Sequence, residues 1–150
     1  MLTTEQREAI VTEARTWIGT RYRGWSAVKG AKGGVDCGML LKQVYQNVGL
    51  LPAGNLGIDM RYSLQVAQHL DDTAYIDKIM EWFHEVPEHE AQPGDIIVYR
   101  LGKAFAHGGI VIAWPLMIHA IAHGGVRLTS GYTHPLLAGH VKKFFSWGKC

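Results

Sequence analysis

An α+β fold, with N-terminal helices packed on a mainly antiparallel sheet, is the architecture this sequence predicts. Apolar residues recur at helical spacing in the first half of the chain, and short strand-like runs dominate from Pro93 onward. Helices come first and strands after, without the regular alternation of βαβ units.

The first helix starts after Thr3, which caps it, with Gln6 three residues on completing a capping-box pattern. Ile10, Ala14, Trp17 and Ile18 follow at helical spacing, and Gly19 closes the segment. Residues 19–36 read as a long loop punctuated by Gly19, Gly24, Gly30, Gly33 and Gly34. A second helix, about 37–48, carries Leu40, Leu41, Val44, Tyr45 and Val48 before Gly49. After the linker Leu51-Pro52-Ala53-Gly54-Asn55 come two weaker helical patterns, near 59–70 and 73–84. The strand candidates are 95–99, 108–113, 116–121, 125–129 and 141–147, with a turn expected at Trp114-Pro115.

At 150 residues, with no internal repeat or evident linker, residues 1–150 are expected to form a single domain. Hydrophobic residues make up 47% and charged residues 19%, a globular balance. The formal charge of +2 is weak and its Lys and Arg are scattered, so nucleic acid is not an expected partner. No stretch approaches the roughly 18 apolar residues of a spanning helix, so membrane insertion is not expected either. The segment Met1–Glu8 has neither a basic n-region nor an apolar h-region. The expectation is therefore cytoplasmic synthesis without a signal peptide, with delivery outside by another route left open. Cys37 and Cys150 are too few for a disulfide framework.

The chemistry centres on Cys37, which a glycine-containing turn delivers to the start of an apolar helix. Backbone N–H groups without intrahelical partners, and the helix dipole, favour the thiolate there. A thiol nucleophile needs a base, and it finds one in space, not in adjacent sequence. His107 stands before two glycines at the mouth of a strong strand, and His119 lies in the next one. A hairpin about Trp114-Pro115 would place the two histidines on neighbouring strands. Each alone is more often a satisfied core or surface histidine, and Cys37 alone more often a small buried hydrophobe. The combination is what points to nucleophilic catalysis.

Three blocks of the chain are similar to the NlpC/P60 cysteine peptidases of bacterial cell-wall turnover, members of the papain-like fold group. The first runs from Trp17-Ile18-Gly19-Thr20-Arg21-Tyr22 to Gly34-Val35-Asp36-Cys37-Gly38. The second is Gln92-Pro93-Gly94-Asp95-Ile96-Ile97-Val98-Tyr99. The third is Ala106-His107-Gly108-Gly109-Ile110-Val111, then Met117-Ile118-His119-Ala120. The resemblance implies Cys37 as nucleophile, His107 as base and His119 as the orienting third residue. It also implies a Tyr22 hydroxyl near the nucleophile and a role for Asp36 in holding substrate, while the Cys37 backbone N–H is an oxyanion donor candidate. Peptidoglycan stem or cross-bridge peptides are the implied substrate, and no cofactor is implied.

Where the family carries a serine after its cysteine, this chain has Gly38 followed by Met39. That box and the loop Ala27-Val28-Lys29-Gly30-Ala31-Lys32 look like phage and prophage members, which implies phage tail proteins as partners and a virion tail or cell wall as the place of action. Two alternatives stay open: an amidase or acyltransferase on the same fold, and a non-catalytic phage tail assembly module. A zinc site is disfavoured, since His119-x-x-x-His123 sits in a strand-like stretch without an adjacent Glu, and Pro87 separates His84 from His89. Gly108-Gly109 and Gly124-Gly125 lack the Gly-Lys-Ser/Thr ending of a phosphate loop.

Overall fold

A computed structural model describes residues 1–54, 74–102 and 104–149. Helix α1 spans Thr4–Arg15, and its capping box is complete: Thr3 Oγ1 accepts from Gln6 N at 3.1 Å while Thr3 N donates to Gln6 Oε1 at 2.8 Å. The helix stops at Arg15, and Trp17, buried beyond it, anchors the exit by donating from Nε1 to Glu13 Oε2 at 2.7 Å.

The 19–36 stretch is more ordered than the expected loop. Strands β1 (Ala27–Val28) and β2 (Gly34–Val35) pair antiparallel, and Tyr22 bridges to Val35. The run of glycines that obscures any period is what permits this turn. A Cβ on Gly33 would lie 1.9 Å from the Val28 carbonyl oxygen, and one on Gly34 would lie 2.4 Å from Arg23 Cβ. The strand pair delivers the chain to α2 (Cys37–Asn47), whose N-cap is Asp36.

The expected helix at 59–70 lies outside the described residues. The helix expected over 73–84 is corrected: α3 covers Ala74–Met80, and Phe83–Val86 forms strand β3 instead. Tertiary pairing overrides the local pattern there. Phe83 is buried edge-on against Tyr45 and Trp147, at centroid distances of 5.0 and 5.3 Å, and β3 pairs with the last strand in a register that sets Phe83 opposite Trp147.

The remaining strands are β4 (Ile96–Leu101), β5 (Ala104–Ala113), β6 (Leu116–Ile121), β7 (Gly125–Ser130) and β8 (Lys142–Trp147). They form one six-stranded sheet in the order β3-β8-β4-β5-β6-β7, with every pairing antiparallel. Residues of α1 and α2, among them Ile10, Leu40 and Val44, pack with Ile96, Val98, Ile110 and Ile118 into the larger apolar cluster. The alternate residues of the same strands, Ile97, Tyr99, Val111 and Met117, join Leu137 and Phe144 in a second cluster.

The Pro-Gly-Asp block before β4 is the knot between these layers. Asp95 Oδ1 accepts from Arg7 Nη1 of α1 and from Ser146 Oγ of β8, each at 2.8 Å, and its Oδ2 accepts from Gln92 N at 2.8 Å. The Tyr45 hydroxyl of α2 donates to the carbonyl of Gly94. All of Arg7, Tyr45 and Asp95 are buried, so this polar cluster is satisfied within the protein.

Candidate active site

Cys37 is the first residue of α2, and the cap beneath it consumes the whole of Asp36. Oδ1 of Asp36 accepts from Met39 N at 2.8 Å, and Oδ2 accepts from Trp25 N at 3.0 Å. The carboxylate is fully buried; burial pushes its pKa up, against backbone N–H donors from Met39, Trp25 and Gly38. Trp25 adopts φ 64°, a left-handed conformation that costs a non-glycine residue about 1–2 kcal/mol. Its bond to Asp36 offsets that cost and fastens the incoming loop to the helix start. The Cys37 side chain is 2% exposed, and Sγ lies 3.7 Å from the carbonyl oxygen of Ala106, the residue before His107.

β5 and β6 supply the imidazoles. Their register sets Gly109 opposite His119, so no side chain stands across the ladder from that imidazole. His119 leans diagonally over the glycine to the strand position of His107. The result is a hydrogen bond of 2.8 Å between His107 Nε2 and His119 Nδ1, with ring planes at 82°. Burial, with the neighbouring His134 imidazole adding to it, pushes the His107 pKa down to about 4. Burial likewise pushes His119 down to about 3, helped by its two histidine neighbours. Both rings are thus neutral near pH 7, as a general base must be before it accepts a proton.

A cavity of about 220 Å³ unites the pieces: Tyr22, Cys37, Ala106 and His107 line it, with Ala120 and Leu137 among the apolar remainder. Among the site residues expected from sequence, Tyr22, Cys37 and His107 therefore share one space. His119 stands behind His107, and Asp36 stands beneath Cys37, both fully buried. His119 engages Nε2 of His107, which leaves Nδ1 as the second nitrogen of that ring.

Two residues that sequence reasoning missed complete this arrangement. Thr129 Oγ1, on β7, lies 3.1 Å from His119 Nε2. His134, in the connection to β8, sets its ring perpendicular to that of His119 at a centroid distance of 5.4 Å. Neither has a local sequence signal; only the β6–β7 pairing and the fold of the 131–141 connection bring them in.

A helix-borne cysteine and a strand-borne histidine pair, meeting at one cavity of an α+β scaffold, define the Cys–His class of domain. The chain belongs to the NlpC/P60 family, whose model matches residues 17–143. It is 30% identical over 118 residues to the "Probable endopeptidase p60" of Listeria grayi, a match that takes in 77% of this chain but only 18% of that protein. Its fold is similar to the NlpC/p60 domain of the peptidoglycan hydrolase SagA, with a TM-score of 0.59 and 22% identity over 91% of this chain and 96% of that one. It is also similar, with a TM-score of 0.59 and 14% identity, to Mycobacterium tuberculosis RipD, a non-catalytic NlpC/p60 domain protein adapted to peptidoglycan binding; that match covers 96% of this chain and 98% of the other. The family thus holds both hydrolases and binding domains.

Proposed function

We propose that the protein is a cysteine peptidase that hydrolyses amide bonds in peptidoglycan stem or cross-bridge peptides, with residues 1–150 acting as one catalytic domain. The observation that carries this reading is the shared cavity, which Cys37 and His107 both line while His119 holds Nε2 of His107. His107 Nδ1 takes the thiol proton as Sγ attacks the carbonyl carbon, and the developing oxyanion turns toward the Cys37 backbone N–H. The C–N bond breaks as His107 returns that proton to the leaving amine, leaving a thioester on Cys37. Water then loses a proton to His107 and attacks the thioester, releasing the acid and restoring the thiol. His119 keeps the ring of His107 in the productive orientation throughout. Tyr22 lines the cavity wall, which supports a part for it in contacting the substrate. Asp36 serves the site by setting the pose of Cys37 through the helix cap.

Action at the cell wall, delivered with a phage tail, is the setting favoured by the Asp36-Cys37-Gly38 box and the β1–β2 loop. The fold likeness to RipD favours, as a second reading, a domain that binds peptidoglycan without cutting it. Purified peptidoglycans of several cross-bridge types, incubated with the protein and resolved by mass spectrometry, separate the two. New amine and carboxyl termini that Cys37→Ser and His107→Ala both abolish support the peptidase. A measurable residue of activity is expected in His119→Ala. Retention on the polymer with no new termini in any type would establish the binding domain instead.

A further inference from the structure

The polar chain behind the thiol does not end at His119. His107 on β5, His119 on β6 and Thr129 on β7 lie on three consecutive strands, and hydrogen-bonding distances of 2.8 and 3.1 Å join them. The register places Arg127 opposite His119, so Thr129, two residues along, occupies the same sheet face and the next diagonal. His119 is fully buried, and its two nitrogens face different neighbours: Nδ1 meets His107 and Nε2 meets Thr129.

A neutral imidazole carries one proton and one lone pair, so the identity of its partners decides which nitrogen holds which. The Thr129 hydroxyl can accept from Nε2–H of His119 or donate to a bare Nε2. Because Thr129 is half-buried, its own O–H can turn to solvent, which leaves its lone pairs for the N–H of the fully buried imidazole. That assignment leaves Nδ1 of His119 as an acceptor, which in turn receives Nε2–H from His107. His107 is then obliged to carry its lone pair on Nδ1, the nitrogen left for the thiol proton. With the opposite tautomers, His107 would present an N–H toward the thiol and could not act as its base. His134 stands perpendicular to His119 and takes the backbone N–H of Leu136 on its own Nδ1 at 3.2 Å, so it walls the ring without competing for either nitrogen.

We propose that Thr129 is a positioning residue that fixes the tautomer of His119 and, through it, the tautomer of His107. The consequence for hydrolysis rests on the peptidase reading above; the tautomer assignment itself does not. Long-range ¹H–¹⁵N NMR of the histidine rings at pH 7.5 reads each nitrogen directly, and alkylation of Cys37 by iodoacetamide across pH, in a Cys150→Ser background, reads its ionisation. The wild type is expected to show Nε2–H at both His107 and His119. Thr129→Ser, which keeps the acceptor, preserves both signatures. Thr129→Val, which keeps the β-branch and removes the acceptor, shifts His119 toward Nδ1–H and slows alkylation near pH 6.5 by about tenfold, the scale of one lost hydrogen bond. Should that variant fold poorly by circular dichroism, Thr129→Ala removes the acceptor equally and repeats the measurement. An unchanged His119 tautomer, or an unchanged alkylation profile, in a folded variant lacking the acceptor overturns the proposal. Neither readout uses peptidoglycan: a tautomer shift in a protein that cleaves nothing defeats only the peptidase reading, and normal cleavage with an unmoved tautomer defeats only this one.

Discussion

Lowering the pH from 7 to 5 tests the burial of the two site imidazoles. His107 and His119 have folded-state pKa values pushed down by burial to about 4 and about 3, whereas an unfolded histidine titrates near 6.5. Protons therefore bind the unfolded chain more readily than the folded one. The stability these groups contribute is fully present above about pH 6.5 and is lost as pH falls toward the folded values. By linkage, one such histidine withdraws about 2 kcal/mol of stability between pH 7 and pH 5, and the pair about 3–4 kcal/mol. Urea unfolding followed by tryptophan fluorescence at both pH values, on the wild type and on His107→Gln/His119→Gln, isolates this contribution. Asp36, whose carboxyl burial raises, titrates with the opposite sign, but it is present in both proteins and cancels in the difference. The wild type is expected to lose about 3–4 kcal/mol more than the double variant. Equal losses in the two proteins would refute the claim that these rings sit buried and neutral.

Three further outcomes are expected. Arg7→Met strands the Asp95 carboxylate in the knot between α1, β4 and β8, and should cost about 3–5 kcal/mol by the same urea assay. Asp36→Ala removes both the helix cap and the tie to Trp25; about 1–2 kcal/mol of stability should go, and Cys37 alkylation should slow, because the loop and the helix start are no longer joined. Gly109→Ala places a Cβ 3.0 Å from the Ile118 carbonyl oxygen and 3.3 Å from His119 Cβ, closing the gap over which that imidazole leans. Its thermal midpoint should fall by an amount matching about 1–3 kcal/mol, while hydrolysis, measured on the same peptidoglycans, should fall more than tenfold.

What could be read from the chain in advance followed the range of each interaction. The capping box of Thr3 and Gln6 was legible because its two bonds span three residues. The β5–β6 hairpin was legible from two apolar runs flanking Trp114-Pro115. Strand β3 was not, because Phe83-His84-Glu85-Val86 directly follows a helical pattern and is made a strand by pairing with residues 144–147, at the far end of the chain. The β1–β2 pair was hidden by glycines, which erase hydrophobic periodicity while permitting close backbone approach. Within the site, Cys37 and the two histidines carry recognisable chemistry. Thr129 and His134 are ordinary residues until the sheet sets them beside His119.

The thiol rides on a helix and the imidazoles ride on the sheet, and these two carriers meet at the cavity through packing and hydrogen bonds. The alignment of thiol and base is therefore set by the apolar cluster and the Asp95 knot that join the two layers. Proton transfer is far less forgiving than packing, since a misplacement of about 1 Å can reduce a rate about a hundredfold. On the peptidase reading, turnover would gauge how the two layers are seated, sensitive to displacements that spectroscopy of either layer would miss. Gentle heating or mild denaturant that shifts one layer against the other would, on that reading, silence hydrolysis before helix and sheet signals change.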